Sequence, residues 1–290
     1  AQGETLRQLG LLDQALAAFE RAARRTGATG SLQPQVELAR TLAALGRIEE
    51  AEAAYRTTLQ AIEDPARAAD LTGDPAQVYV GLARLLLGEN RIDEAEAVAA
   101  SALAAQPNAA AVQILAGDLS RFQGRRAEAL AAFRRAVELA PSNVVANTRV
   151  GDLLLESGRG SVAEAQAAYE AALASDPADI SALLGLARAL SRSVTADAGL
   201  APSADALTAA QTADLNRAQQ LLDAVFLRIG DSSPDAAQAA QLIRADLLAA
   251  QGQVAEAADA YQAVLLQDPD NATAIEGLAR TLLAAGNADE

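Results

Sequence analysis

The chain has 290 residues, 51% of them apolar and 3% aromatic, and its formal net charge is −15, with arginine as its only basic residue. It contains no cysteine and no histidine, which excludes disulfides, thiolate and imidazole metal sites, thiol nucleophiles and the usual base near neutral pH. The alanine- and leucine-rich composition favours packed helices over sheets. The acidic charge has two interpretations: solubility together with a high-GC bacterial genome, or a surface that repels nucleic acid and anionic lipid and favours basic partners.

A recurring pattern predicts seven second helices, each with a small residue that is followed four and seven positions later by residues on the same face. The landmark alanines are Ala15, Ala51, Ala95, Ala129, Ala165, Ala218 and Ala257. The residues four positions later are Phe19, Tyr55, Ala99, Phe133, Tyr169, Leu222 and Tyr261. Prolines lie twelve residues after four of the alanines, at Pro107, Pro141, Pro177 and Pro269, where we expect helices to end.

The predicted first helices carry a large residue followed by a small one, such as Val150-Gly151 and Leu186-Ala187. The small residue lets the second helix cross tightly, and the larger residue of the second helix fills the remaining gap. The seventh pair has Arg244-Ala245 instead, which predicts that its large residue turns outward.

Residues 109–143 show the whole pattern, with Gly117, Gly124, Ala129, Phe133 and Pro141 at fixed offsets. This spacing resembles the tetratricopeptide repeat of 34 residues, although the tryptophan of that family is missing. The resemblance covers nearly the whole chain and implies an all-α, helical-hairpin solenoid of about seven to eight repeats in a right-handed superhelix. The predicted units of this single solenoid are 1–30, 31–74, 75–108, 109–142, 143–178, 179–233 with an insertion at 194–213, 234–270 and a partial unit 271–290.

The landmark alanines are 36, 44, 34, 36, 53 and 39 residues apart, so some joints carry extra residues. These lie around 63–74, 158–161, 194–213 and 230–235, and we expect segment 194–213 to begin as a loop and to become helical from about Ala204. Both ends fall within a unit without a polar cap, which predicts a region of a longer protein or ends that another subunit covers. The start Ala1-Gln2 is weak evidence for export, and bacterial cytoplasm and periplasm or cell envelope both stay open.

Catalytic and metal-binding patterns are not found. A phosphate-binding P-loop needs lysine, and the acidic cluster at 268–271 lacks the glycine and distal glutamate of a calcium loop. Carboxylate pairs such as Glu49-Glu50 and Asp93-Glu94 fall at the starts of second helices, where the helix dipole favours negative charge. No apolar run approaches the ~18 residues that span a membrane. We therefore expect no enzyme, no cofactor and no metal.

The resemblance implies that the first helices line a concave groove, with an apolar floor and a row of charged residues. The expected binding residues are Val80, Arg84, Ile114, Asp118, Arg121, Phe122, Asp152, Arg188 and Arg192. The charged row has a second interpretation, a ladder of ion pairs between neighbouring first helices, for instance Arg84 with Asp118 and Asp152 with Arg188. The carboxylate clamp of chaperone-binding repeats is not reproduced at these positions.

The predicted function is a non-catalytic scaffold that binds a protein or peptide in the groove, within a larger bacterial assembly. The alternatives are a self-assembling structural or envelope module and the docking region of a larger enzyme or of a secretion or biogenesis complex. The expected partner is a protein or peptide, not nucleic acid or a membrane, with self-association through the uncapped ends as the alternative.

Overall fold

The computed structural model describes residues 2–26, 30–158, 161–198, 207–229, 233–284 and 286. Within these ranges the chain forms sixteen α-helices and no β-strand, and consecutive helices pack against each other in pairs. The prediction of an all-α array of helical pairs is therefore confirmed. The chain divides into two compact units, residues 1–139 and residues 140–290.

Unit 1 alternates first and second helices. Its first helices are α1 (Gln2–Gln8), α3 (Gln33–Ala44), α6 (Ala76–Gly88) and α8 (Ala110–Phe122). Its second helices are α2 (Leu12–Thr26), α4 (Ile48–Glu63), α7 (Ile92–Ala105) and α9 (Arg126–Leu139), and α5 (Pro65–Ala68) is an additional short helix. Helix α6 contacts both α3 and α8, so these first helices lie side by side.

Unit 2 follows the same plan. Its first helices are α10 (Val144–Glu156), α12 (Ile180–Ala198), α14 (Pro234–Ala250) and α16 (Ala272–Ala284). Its second helices are α11 (Val162–Ser175), α13 (Ala209–Ile229) and α15 (Val254–Gln267). Helix α12 contacts α10 and α14, and α14 contacts α16, so the first helices again form one row.

The landmark alanines are the tightest positions of the core. All seven are fully buried, and the residues four positions later are buried with them. This confirms that the offsets of four and seven mark the inward face of each second helix. In the seventh pair Ile243 is buried while Arg244 is exposed, so the large residue there does turn outward.

Four of the joints between repeats contain a proline, and in three of them a capping side chain follows it. Helices α7, α9, α11 and α15 all end two residues before Pro107, Pro141, Pro177 and Pro269, as the sequence predicts. The side chains of Asn143, Asp179 and Asn271 then accept hydrogen bonds from backbone amides in the first turns of α10, α12 and α16. These caps satisfy amides that the helix itself leaves unpaired, so these three first helices begin at defined residues.

Several of the described turns within pairs use the left-handed backbone conformation. Gly46, Gly124 and Gly252 have φ angles of 73°, 74° and 75°, and Asn90 occupies the same turn position at 57°. Glycine adopts this conformation without a steric penalty, and asparagine tolerates it better than most residues.

Two of the padded joints are visible in the structure. The extra residues of 63–74 form the end of α4, helix α5 and a parallel bridge in which Thr72 pairs with Ser31. In segment 194–213 the prediction of an initial loop is wrong, because α12 continues to Ala198, and α13 begins at Ala209 rather than near Ala204. Residues 159–160, 199–206 and 230–232 of the padded joints lie outside the described residues.

Candidate functional site

Glycines of the first helices admit the aromatic rings of the second helices. A Cβ atom on Gly117 would lie 2.5 Å from the ring of Phe133, and one on Gly151 would lie 2.6 Å from the ring of Tyr169. Real Cβ atoms do not approach carbon so closely, so these rings need glycine at these positions. The predicted role of the small first-helix residue is therefore confirmed at Gly117 and Gly151.

A second set of glycines, which the sequence analysis missed, receives the ring of the preceding repeat. Gly81, Gly185 and Gly277 face Tyr55, Tyr169 and Tyr261, with virtual Cβ distances of 2.5, 2.2 and 2.4 Å. Each of these glycines directly precedes a Leu-Ala pair and follows a unit that carries tyrosine. That coincidence is a sequence signal that could have revealed the contact between repeats.

The tyrosine hydroxyls bind the charged row of the first helices. Tyr169 donates a hydrogen bond to Asp152 at 2.8 Å, and Tyr261 donates one to Asp246 at 2.5 Å. Burial raises the pKa of both tyrosines far above the ordinary value, so their hydroxyls stay protonated donors at neutral pH. Burial also raises the pKa of Tyr55, against the effect of the nearby Arg40 guanidinium. The charged row is thus tied to its own repeat by Tyr169 and by Tyr261.

The predicted ladder between neighbouring first helices is not formed at the two pairs named above. Neither Arg84 nor Arg188 makes an ion pair with any residue that the structure describes. Asp152 instead lies 3.7 Å from Arg149 of its own helix, in addition to its bond from Tyr169. The ladder fails because the carboxylate of Asp152 is already held within its own repeat.

The expected binding residues of unit 1 divide into buried and accessible groups. Val80 and Ile114 are only 6% and 4% exposed, so they pack into the helix interface and present little surface. Arg84 is exposed, and Asp118 and Arg121 are half-buried. Phe122, the last residue of α8, is 61% exposed, which is unusual for a side chain of this size and apolarity. The accessible surface of this face is therefore made by arginine and one aromatic ring.

The expected binding residues of unit 2 lie on α10 and α12. Asp152 is half-buried, while Arg188 and Arg192 are exposed. Arg192 donates a hydrogen bond at 2.8 Å to the carbonyl oxygen of Leu155, near the end of α10. Cationic side chains suit helix carboxyl ends, so Arg192 also ties α12 to α10.

The first helices of unit 1 also contain a buried acid that the sequence analysis did not single out. Glu37 is only 4% exposed and accepts hydrogen bonds from Gln33 and Arg40, each at 2.9 Å. Arg7 of α1 lies 3.6 Å from the same carboxylate and forms an ion pair with Glu4 at 2.6 Å. Glu37 occupies the position at which a glycine stands in those repeats that follow a tyrosine-containing unit. This position in the repeat could have indicated a role for Glu37, whereas its residue type could not.

The carboxylate pairs at the starts of second helices are held by arginine. Glu94 binds Arg91 at 2.7 Å and Arg56 at 2.9 Å, and both arginines also bind Glu52. Hydrogen bonds from Arg91 hold the pKa values of Glu52 and Glu94 below the usual range. Carboxyls that stay ionised in this way lack the raised pKa of a general acid. These pairs join α4 to α7.

The acidic turn at 268–271 has a local structural role. Asp268 accepts hydrogen bonds from Asn271 at 3.0 Å and from Gln238 at 3.3 Å, and Asn271 caps α16. In the described ranges, no group of three or more acidic side chains is placed to hold a metal ion. None of the helices that could be searched combines the length and apolarity needed to cross a bilayer.

Comparison with known proteins identifies the repeat. Two family models of the tetratricopeptide repeat match residues 1–68 and 80–144, and residues 248–290. Together these ranges cover more than half of the chain. No curated protein sequence matches it.

Solved structures share the fold at low sequence identity. The pilF protein of Pseudomonas aeruginosa is 19% identical, with 85% of this chain and 96% of that one covered and a TM-score of 0.60. The Cut9–Hcn1 hetero-tetramer of the APC/C contains a chain that is 14% identical, with 97% and 48% covered and a TM-score of 0.64. A tetratricopeptide repeat protein from Parabacteroides merdae is 15% identical, with 97% and 96% covered and a TM-score of 0.53.

Proposed function

Because the chain belongs to the tetratricopeptide repeat family, we propose that it is a non-catalytic scaffold that binds a peptide or protein segment on its first helices, within a larger bacterial assembly. Repeats of this family generally act as protein-binding modules. The observation that carries the proposal is the exposure of Phe122 on α8, in a unit where Val80 and Ile114 of the first helices are buried.

The accessible side chains of unit 1 are of the types that dominate binding energies. Phe122 and Arg121 follow each other on α8, and Arg84 lies on the neighbouring α6. Aromatic and arginine side chains are enriched among the residues that contribute most to interfaces. Burying the Phe122 ring under a partner would contribute about 1.5–3 kcal/mol. Arg84 has no ion pair to break first, and the paired helices are already ordered, so binding costs little reorganisation.

The proposal assigns the remaining expected residues to the same role. Asp118 would orient a segment bound on unit 1 through charge, and Asp152, Arg188 and Arg192 would do the same for a segment bound on unit 2. Asp152 and Arg192 also hold internal hydrogen bonds, so their substitution would alter both packing and binding. Arg188 has no such internal bond and is the cleaner test residue in unit 2.

Photo-crosslinking tests the proposed face directly. We would place benzoylphenylalanine, whose shape resembles phenylalanine, at Phe122, and at Leu227 as the control. Leu227 lies on the second helix α13 and is 86% exposed, so both positions are accessible. After irradiation in an extract of the source organism, we expect protein adducts from position 122 and not from position 227. Adducts from position 227 alone, or equal adducts from both positions, would contradict the proposal.

Charge reversal on the first helices gives an independent test. We expect the Arg84→Glu/Arg188→Glu variant to keep its helical circular dichroism and to change the set of captured proteins, because both side chains are exposed and outside ion pairs. The control is Arg21→Glu/Arg25→Glu on the second helix α2, which makes the same change in net charge. An unchanged capture profile for the first variant would count against a role of the first helices.

Self-association is the second candidate, and exposed apolar side chains favour it. Ile275 and Leu283 on α16 are 49% and 61% exposed, and Leu9, between α1 and α2, is 67% exposed. Sedimentation of the purified chain over a wide concentration range distinguishes the two functions. A mass that rises with concentration and returns to the monomer in an Ile275→Ser/Leu283→Ser variant would favour the self-assembling module.

A further inference from the structure

Charge is distributed unevenly between the two kinds of helix. The eight first helices contain nine arginines and nine acidic residues, so together they are neutral. The second helices, α5 and the connecting segments contain the other 14 arginines and 29 acidic residues, which account for the whole net charge of −15. Net repulsion of a negatively charged partner therefore comes from the second helices, α5 and the connecting segments, and not from the first helices.

Three exposed arginines of unit 2 lie on first helices that contact α14. Arg188 and Arg192 of α12 and Arg280 of α16 all interact electrostatically with Asp246, which lies on α14 between those two helices. We call this set the arginine face. Arg188 and Arg192 are exposed, and the side chain of Arg280 is 51% exposed.

Asp246, the carboxylate that the three guanidinium groups share, carries at most one negative charge against their three positive charges. Asp246 accepts a hydrogen bond from Tyr261, and burial raises the pKa of its carboxyl above the usual range, against the effect of that bond and of the arginines. Arg280 has Glu276 at 3.2 Å, but the side chain of Glu276 is 73% exposed, where ion pairs contribute little. Arg188 has no ion pair among the described residues.

The spacing of the arginine face suits an extended segment. Arg188 and Arg192 are separated by one helical turn, about 6 Å along α12. Neighbouring helices pack about 8–10 Å apart, so α12 and α16, with α14 between them, are about 16–20 Å apart. An extended chain covers this distance with about five or six residues. Guanidinium groups bind carboxylates with short, charge-assisted hydrogen bonds.

We propose that the arginine face, formed by Arg188, Arg192 and Arg280, binds an acidic protein segment whose glutamate or aspartate side chains contact the three guanidinium groups. This inference rests on the proposed function and names the chemistry of the partner. Phosphates of a nucleic acid are the competing occupant, and the charge of −15 outside the first helices disfavours so long a polyanion.

Fluorescence anisotropy with defined probes tests this inference. The first probe is a labelled peptide of about twelve residues that repeats glycine, glutamate and leucine, long enough to span the face. The second replaces each glutamate by glutamine, and the third is an oligothymidine of similar length. We expect the glutamate peptide to bind at least about tenfold more tightly than the glutamine peptide at about 50 mM salt, and the difference to shrink at about 500 mM salt.

Matched variants locate the site. Arg188→Gln/Arg280→Gln should weaken binding of the glutamate peptide about tenfold, whereas Arg217→Gln/Arg228→Gln on α13 makes the same charge change and should leave binding unaltered. Thermal unfolding by circular dichroism verifies that both variants fold. Equal binding of the glutamate and glutamine peptides, no binding of either up to about millimolar concentration, tighter binding of the oligothymidine, or equal losses in both variants would overturn the inference.

The two proposals fail in different ways. If position 122 forms adducts but the captured partner is insensitive to Arg188→Gln/Arg280→Gln and the glutamate peptide does not bind, the scaffold function stands and the acidic partner is refuted. If position 122 forms no adducts while the peptide binds as expected, the arginine face stands and the function assigned to unit 1 is refuted.

Discussion

Replacing Gly185 by alanine should destabilise unit 2, because Tyr169 fills the space that a methyl group would need. The new Cβ would lie 2.2 Å from the ring carbon Cε1 of Tyr169 and 2.4 Å from Cζ. Carbon atoms in contact lie about 3.5–4 Å apart, so the ring or α12 must move by about 1.3 Å. The ring has little room, because Gly151 lies against it from its own repeat and Asp152 holds its hydroxyl.

The net effect of this substitution follows from two opposing contributions. Overpacking of a filled core costs about 1–3 kcal/mol, and we expect the upper part of that range because the ring is fixed. Alanine is better than glycine inside a helix by about 1 kcal/mol. The expected result is a loss of about 2 kcal/mol. The control is Gly88→Ala, since a Cβ there meets no atom within 4 Å and its stability should be unchanged or slightly raised.

Native-state hydrogen exchange is the suitable assay, because stacked repeats need not unfold in one step. A loss of about 2 kcal/mol should accelerate exchange of protected amides in α10, α11 and α12 about 30-fold. In the Gly185→Ala/Tyr169→Leu double variant the clash is removed, so the two changes should cost at least about 1 kcal/mol less than their sum. Exchange as slow as in the unaltered chain, or strict additivity, would refute the reasoning.

Three further substitutions test the packing and the charged row. Phe133→Ala should destabilise unit 1 by about 3–5 kcal/mol, because it opens a fully buried cavity, and urea unfolding would measure this loss; a loss below about 1 kcal/mol would contradict it. The stability of the Asp246→Asn variant should rise relative to that of the unaltered chain as pH rises above about 4. Burial raises the pKa of Asp246, so deprotonation of this carboxyl costs the folded state more than the unfolded one, and the variant avoids that cost. Urea midpoints of both proteins across this pH range would show the difference in stability. A difference that is constant or falls with pH would argue against the burial of the Asp246 carboxyl. Asn90→Gly should raise the thermal midpoint slightly, by up to ~1 kcal/mol in free energy, because it relieves the left-handed backbone; a lowered midpoint would show that the Asn90 side chain is needed.

The sequence predicts most of the core, because its periodicity directly reflects helix geometry. The landmark alanines, Phe133 and the glycines Gly117 and Gly151 are fixed by offsets within one repeat, and the structure places them as expected. Contacts between repeats, such as that of Gly185 with Tyr169, depend on how neighbouring units stack, which offsets within one repeat do not report. The turn-forming residues of segment 194–213 predict a loop at its start, but α12 propagates through residues 194–198 despite them.

The contacts of the charged row on the first helices could be predicted less well than the core. Residue type alone suggested that Asp152 and Arg188 pair across helices, but a tyrosine hydroxyl competes for the carboxylate at shorter range. The exposure of Phe122 and the burial of Val80 and Ile114 depend on how closely adjacent helices pack. The spacing of residues along the sequence does not define this distance.

The uneven division of charge also has a practical consequence for handling the protein. On a positively charged resin or aminated sensor chip, each unit should adsorb through its acidic second helices and connecting segments, because the neutral first helices have no net attraction to the support. Immobilisation of this kind would leave the first helices facing the solution and open to ligands, without any engineered tag.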